Sequence, residues 1–377
     1  MSSADSSGAR TVLDRAADRM LDAGVLERVG IAIASTTLAL LIGLGIVAMS
    51  GYNPALFANQ LIIGAIGSEA AMARTLRLST LFILTGVAVA VAFRAGVFNI
   101  GVQGQFIVGG IATVMPIVWL APLLPSGPIG GVTLIVIGTT SGIIAGGLYA
   151  ALPGALKAYA GANEIITTIM LNFIAIGIVG WLVMGWFQDP NAPSTRTEQL
   201  PEYVGFPQIV FSSSSFSIIG LGITIAVVIL VAIVIERTGF GYDMVTSGHQ
   251  QSAATYSGVD AKRTIVATMT FSGMVAGLAG AIFVIMITGN FTNPDGISTY
   301  GFDAIAVSLL AANNPIGVIP AGLLFGGLDS AGSHIQIHSD VPAQMIDGIV
   351  GLVVLFVAAP ELFRMAAART GLGGDDR

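Results

Sequence analysis

From Val97 to Leu156 the chain carries no Asp, Glu, Lys or Arg, and the same holds for Tyr203–Ile235 and Thr264–Pro294. Runs of that length cannot clothe a water-soluble domain, in which about 25% of residues are charged. Here charged residues are 10% and hydrophobic residues 54% of the 377, with a mean hydropathy of +0.86. The runs are continuous rather than alternating, which excludes a transmembrane β-barrel. The fold class is therefore an all-α polytopic membrane protein. At ~20 residues per crossing, the apolar length predicts about ten transmembrane helices. They are read at 30–50, 79–95, 98–120, 129–152, 164–187, 216–235, 264–288, 301–313, 316–332 and 343–359.

Loop charge orients these spans. Arg10, Arg15, Arg19 and Arg28 precede the first apolar run, and basic residues there keep that end in the cytoplasm. With an even number of spans, Arg94, Lys157, Arg237, Lys262, Arg263 and the tail arginines 364, 369 and 377 all fall inside. The long loop 188–215 falls outside with one basic residue, Arg196; Arg74 and Arg77, read in an outer segment, count against the rule. Both termini are thus expected in the cytoplasm of a multi-pass cell-membrane protein. The organisation reads as a cytoplasmic extension at 1–29, a transmembrane domain at 30–360 with a cytoplasmic loop at 236–263, and a tail at 361–377. The glycine-rich break Arg94–Gly101 and the short spans around Asn313-Asn314-Pro315 could be half-helices or re-entrant segments in matching halves of an inverted repeat.

Much chemistry is excluded. The net charge is −6, and there is no basic patch for nucleic acid. Cysteine is absent, which removes thiol and disulfide chemistry. No Gly-Lys pair occurs anywhere, so no phosphate-binding loop of the GxxxxGK[ST] kind is present and no cofactor is implied. His334, His338 and Asp340 have metal-like spacing without a further ligand, and no metal site is assigned. Glu164, Asp303, Asp329 and Asp347 sit near span ends, where acids cap helices or pair. An enzyme would need acids or histidines clustered inside the spans. A carrier driven by an ion gradient remains the competing reading.

The loop Glu236–Arg263 is the most informative polar stretch. A short helix centred on Ala253 and Ala254 is stopped by Gly258, with Asp260 placed to cap the helix that follows. Small side chains with a polar rim suit docking into a partner's groove; an ordinary connecting loop would read the same way. Gly273, Ala276, Gly277 and Gly280 make a small-residue face for close helix packing.

Two stretches carry a resemblance: the run from Gly248 through Ser252, Ala253, Ala254 and Gly258 to Lys262, and the run Ser272-Gly273 to Gly277 and Gly280. They resemble the permeases of ATP-binding cassette importers for simple sugars, nucleosides and branched-chain amino acids. Phe93-Arg94-Ala-Gly96-Val-Phe98-Asn99-Ile-Gly101-Val-Gln103-Gly104-Gln105, the segment Gly161–Asn172 and Asn314-Pro315-Ile-Gly317 are similar to its nucleoside branch. Gln103 stands where that family often has an acid, and His249-Gln250 replaces a more usual Asn-Pro/Glu. The resemblance implies that the chain has no ATPase site of its own and works with a separate ATPase subunit. It also implies a second permease, commonly a different and shorter chain, and an external substrate-binding lipoprotein. The loop residues Gly248, Ser252, Ala253, Ala254, Gly258 and Lys262 are then expected to form the coupling helix on the ATPase. A neutral, polyhydroxylated aromatic substrate such as a nucleoside, or a simple sugar, needs amides and aromatic faces without fixed charge. Phe98, Asn99, Gln103, Gln105 and Asn172 are the expected pathway residues.

Overall fold

The computed structural model describes residues 25–211, 215–294, 297–342, 345, 347–352 and 355–356. Among them the secondary structure is helical, with two isolated β-bridges, Gln188 to Thr197 and Arg196 to Thr292. In chain order the helices are α1 Val25–Met49, α2 Pro54–Ile66, α3 Glu69–Arg94, α4 Val102–Leu120, α5 Pro128–Ala160 and α6 Glu164–Gly185. They continue with α7 Ile218–Arg237, α8 Gly239–His249, α9 Gln251–Tyr256, α10 Ala261–Ile282, α11 Tyr300–Leu310 and α12 Val318–His338. A π-helical turn, Phe283–Thr288, extends α10. Among the described residues six helices are long and apolar enough to cross a membrane: α3 to α7, and α10 with its π turn.

The segment expected as an outer connection after the first span is instead helical. At 1.5 Å per residue the 13-residue α2 spans only ~20 Å, short of a ~30 Å hydrocarbon core, so its length gives no crossing signal. Ser68 then caps α3, its Oγ accepting from the Ala71 amide at 3.1 Å, so α3 begins ten residues earlier than expected. Arg74 and Arg77 lie on that helix rather than in a loop. The extension at 1–29, apart from 25–29, and the tail at 361–377 lie outside the described residues, as does much of the tenth expected span.

The chain divides into two compact units, one of 63–331 and one of 1–62 with 332–377. In the larger, α10 packs against α3, α4 and α5. The expected small-residue face does this packing. A Cβ on Gly277 would overlap the Gly142 carbonyl, and one on Gly280 would overlap that of Phe106 and come within 2.7 Å of the Gly110 nitrogen. α3 is buried on every side from Leu78 to Ala92, as an all-apolar helix must be. By contrast α6 buries one stripe, Thr168, Asn172, Ala175, Val179 and Val183, and exposes Ile166, Met170, Phe173 and Trp181. Gly177 on the same helix faces open space, while a Cβ on Gly180 would come within 3.4 Å of Asn293 Oδ1.

In the smaller unit, Val47, Phe57, Ile335, Val341 and Ile349 form a buried apolar cluster. His334 Nε2 lies 2.8 Å from Gln60 Oε1, and its ring stacks on His338 at 4.1 Å. Among the described residues no three His, Cys, Asp or Glu side chains gather as a metal site would require.

Candidate functional site

Of two helix breaks that lie among buried residues, the first follows α3. Gly96, at φ +66°, closes the helix: its N–H donates to Phe93 O at 3.0 Å and that of Val97 to Ala92 O at 3.1 Å. This doubly bonded C-terminal cap relies on a residue that tolerates positive φ. The chain then re-enters the protein, and α4 starts among buried residues. The first N–H groups of a helix have no acceptor within it, and a membrane interior offers no water to replace one.

Carboxamides supply the acceptors. Asn99 Oδ1 accepts from Gly101 N at 3.0 Å, and Asn172 Oδ1, from α6, accepts from Gly104 N at 2.8 Å. Asn172 Nδ2 donates to Ile100 O at 2.8 Å. Asn99 and Gln105 exchange two hydrogen bonds, at 2.9 and 3.0 Å. Asn99 also donates to Ser272 Oγ at 2.8 Å, and that hydroxyl donates to Ala88 O at 2.6 Å. Gln103 serves the second break: its Oε1 accepts from Gly301 N at the start of α11 at 2.7 Å, and its Nε2 donates to Ser298 O at 3.2 Å. Two interrupted helices therefore start on amide caps drawn from elsewhere in the chain.

Asn99, Gln105 and Asn172 thus gather around the start of α4 and Gln103 reaches the start of α11, each buried and each with partners inside the protein. Phe98 does not join them; it is 47% exposed, with its ring 5.0 Å from Phe93. Ser272 belongs to the cluster although it was not among the expected pathway residues. Its signal was a hydroxyl beside Gly273 on the small-residue face. The corner before α6 is also built locally. Gly161, at φ +66°, ends α5, Asn163 caps α6 by accepting from Ile165 N at 2.9 Å, and Glu164 pairs with Lys157. Glu164 is accordingly a paired acid.

The polar loop contains two helices, α8 and α9, where the sequence pointed to one. Thr238 Oγ1 accepts from Gly241 N at 3.1 Å and starts α8, which its three glycines had masked as a loop. As expected, Gly258 takes a positive φ, +91°, and Asp260 caps α10 by accepting from Arg263 N at 3.1 Å. Ala254 is fully buried within this chain. Its carbonyl accepts from Ser257 Oγ at 2.8 Å and from Val259 N at 3.0 Å, bonds that curl the helix end onto the protein. Outward stand Ser252, Thr255 and Tyr256, the last 97% exposed. Ala253 lies in α9, and Lys262 Nζ sits 5.8 Å over the Tyr159 ring. Gly248 touches the backbone of the turn at Ala95 and Gly96.

Residues 71–358 match the family described as the permease component of the branched-chain amino acid transport system. The chain belongs to this family. It is a multi-pass protein of the plasma membrane and a permease component. It is 31% identical to the guanosine ABC transporter permease protein NupP of Bacillus subtilis, over 91% of this chain and 97% of that one. It is 30% identical to the nucleoside ABC transporter permease protein NupB of Lactococcus lactis, over 88% and 91%. A glucose ABC transporter permease protein, TsgB13 of Haloferax volcanii, is 28% identical over 89% and 87%. No solved structure matches the chain.

Proposed function

We propose that this family member is the translocating subunit of an ATP-driven importer for a neutral nucleoside, hydrolysis being carried out by a separate subunit seated on α8 and α9. The observation that carries this reading is the near full-length similarity to permeases named for guanosine and nucleosides. The amide cluster supports it. Its hydrogen-bond partners are amides, hydroxyls and backbone groups, so it presents no fixed charge to a neutral solute. Asn99, Gln103, Gln105 and Asn172 border the pathway, three of them as caps of the two broken helices and Gln105 as the partner that holds Asn99, and half-exposed Phe98 offers an aromatic face. Half-helix termini of this kind mark substrate sites in transporters. A second permease, of different sequence, and an external binding lipoprotein complete the assembly, with both termini of this chain in the cytoplasm. Gly248, Ser252, Ala253, Ala254, Gly258 and Lys262 shape the ATPase contact, and exposed Tyr256 heads it.

Reconstitution in liposomes tests this. Uptake of labelled guanosine is expected only with ATP, the ATPase and the binding protein present, and excess unlabelled nucleoside should compete better than glucose. Uptake by this chain alone under an ion gradient would overturn the reading.

A further inference from the structure

Three turns meet beneath the amide cluster. Gly96 and Gly248 touch backbone to backbone: a Cβ on Gly96 would come within 2.8 Å of the Gly248 carbonyl oxygen, and one on Gly248 within 2.7 Å of the Ala95 carbonyl carbon. Gly248 lies at the end of α8, three residues before α9 begins, and the Gln250 and Ala254 amides bond back to Thr246 and Gln250 carbonyls at 3.2 and 3.0 Å. The junction between the two helices therefore has little slack. From the same turn, Arg94 Nε donates to Asn313 O at 3.2 Å. Asn313 and Ala312 both have positive φ, +56° and +50°, a conformation that residues with side chains hold only when their surroundings impose it. Here Asn313 N donates to Ser308 O at 2.8 Å, and Ser308 Oγ donates to Asn313 Oδ1 at 3.0 Å. The turn after α3 and the turn after α11 are thus tied to each other, and the polar loop touches the first of them.

Five residues beyond Arg94, Asn99 anchors the same segment to Gln105 and Ser272. We propose that the segment from Arg94 to Asn99 transmits displacement of the polar loop into the amide cluster, and that Arg94 is a positioning residue which makes the turns after α3 and after α11 move together. This rests on the reading that α8 and α9 carry the ATPase. Close packing of two glycine backbones converts a push at Gly248 into a shift of Gly96, because there are no side chains between them to reorient. An Arg at the end of α3 would favour the helix dipole in any case, so charge alone must be separated from the bond to Asn313.

The test uses the complete reconstituted complex, measuring ATP hydrolysed and nucleoside taken up in the same vesicles. For Arg94→Met and Gly96→Ala, the ATPase is expected to co-purify in normal amount with hydrolysis within about twofold of wild type. Nucleoside taken up per ATP should fall at least tenfold. Arg94→Gln, which keeps an N–H donor at the position of Nε without the charge, should recover most of the loss. Recovery by Arg94→Lys but not by Arg94→Gln would assign the effect to charge and overturn the proposal. Unchanged uptake per ATP in assembled Arg94→Met complexes would overturn it too. So would hydrolysis and uptake falling in proportion, since that marks a merely structural role. If Gly96→Ala fails to assemble, the Arg94 variants decide alone. If the underlying reading is wrong, the wild-type complex itself shows no ATP-driven uptake. That sinks both and is seen before any variant is compared.

Discussion

Asn172 sits on the one buried stripe of α6 and makes two hydrogen bonds to the backbone around the start of α4. Leucine at this position would leave the Gly104 N–H and the Ile100 carbonyl buried and unpaired, at about 1–3 kcal/mol for each. Asn172→Leu should therefore lower the thermal midpoint of the detergent-purified protein, with uptake falling alongside. A wild-type midpoint and wild-type uptake would remove Asn172 from the cap. Phe98 is the opposite case. Half exposed and bonded to nothing polar, it should be replaceable by alanine with a stability change within about 0.5 kcal/mol. Under the proposed pathway, Phe98→Ala should nevertheless raise the KM for nucleoside uptake, and an unchanged KM would take Phe98 off the pathway.

At the scale of elements, close backbone approach sets the architecture. α10 meets α4 and α5 at glycines whose missing Cβ atoms are occupied by neighbouring backbone, so neither side can yield by rotating a side chain. Gly277→Ala should cost upward of about 1–3 kcal/mol through overpacking, read as loss of monodisperse protein or a lower midpoint. Gly177→Ala on α6, with open space around it, should leave both unchanged. The short α9 makes a separate prediction. Tyr256 is almost wholly exposed, so Tyr256→Ala should fold normally. Aromatic anchors often carry 2 kcal/mol or more of an interface; the variant should retain at least about tenfold less ATPase in a pull-down. Full retention would remove Tyr256 from the ATPase contact. Ala254→Arg is the less informative probe, because it would disturb the chain's own packing first.

For the whole molecule, the absence of cysteine makes topology directly measurable. Asn191→Cys, in the exposed loop after α6, should react with an impermeant maleimide added to intact cells. Ser252→Cys on α9 should react only in inside-out vesicles. Labelling of both from one side would overturn the expected placement of the two loops across the membrane.

Features set by near neighbours were legible in the sequence. The apolar runs demanded a membrane, because no distribution of 10% charged residues could solvate them. Gly258 as a helix stop, Asp260 as a cap and the small-residue face of α10 followed from chemistry within a turn or two. The start of α3 and the existence of α8 were hidden, since two arginines and three glycines imitate a loop locally while packing and a cap hold each segment helical. The amides at 99, 103, 105 and 172 stood out as polar groups in apolar surroundings. What they bond to was decided by tertiary structure: Asn172 meets Gly104 across 68 positions of chain, and Gln103 meets Gly301 across 198. Desolvation requires a buried carboxamide to find partners, and so the sequence alone determines that Asn172 and Gln103 are paired. Only the packing of α4 against α6 and α11 decides that those partners are the open ends of two broken helices, because bonds across that much chain depend on where the helices come to lie.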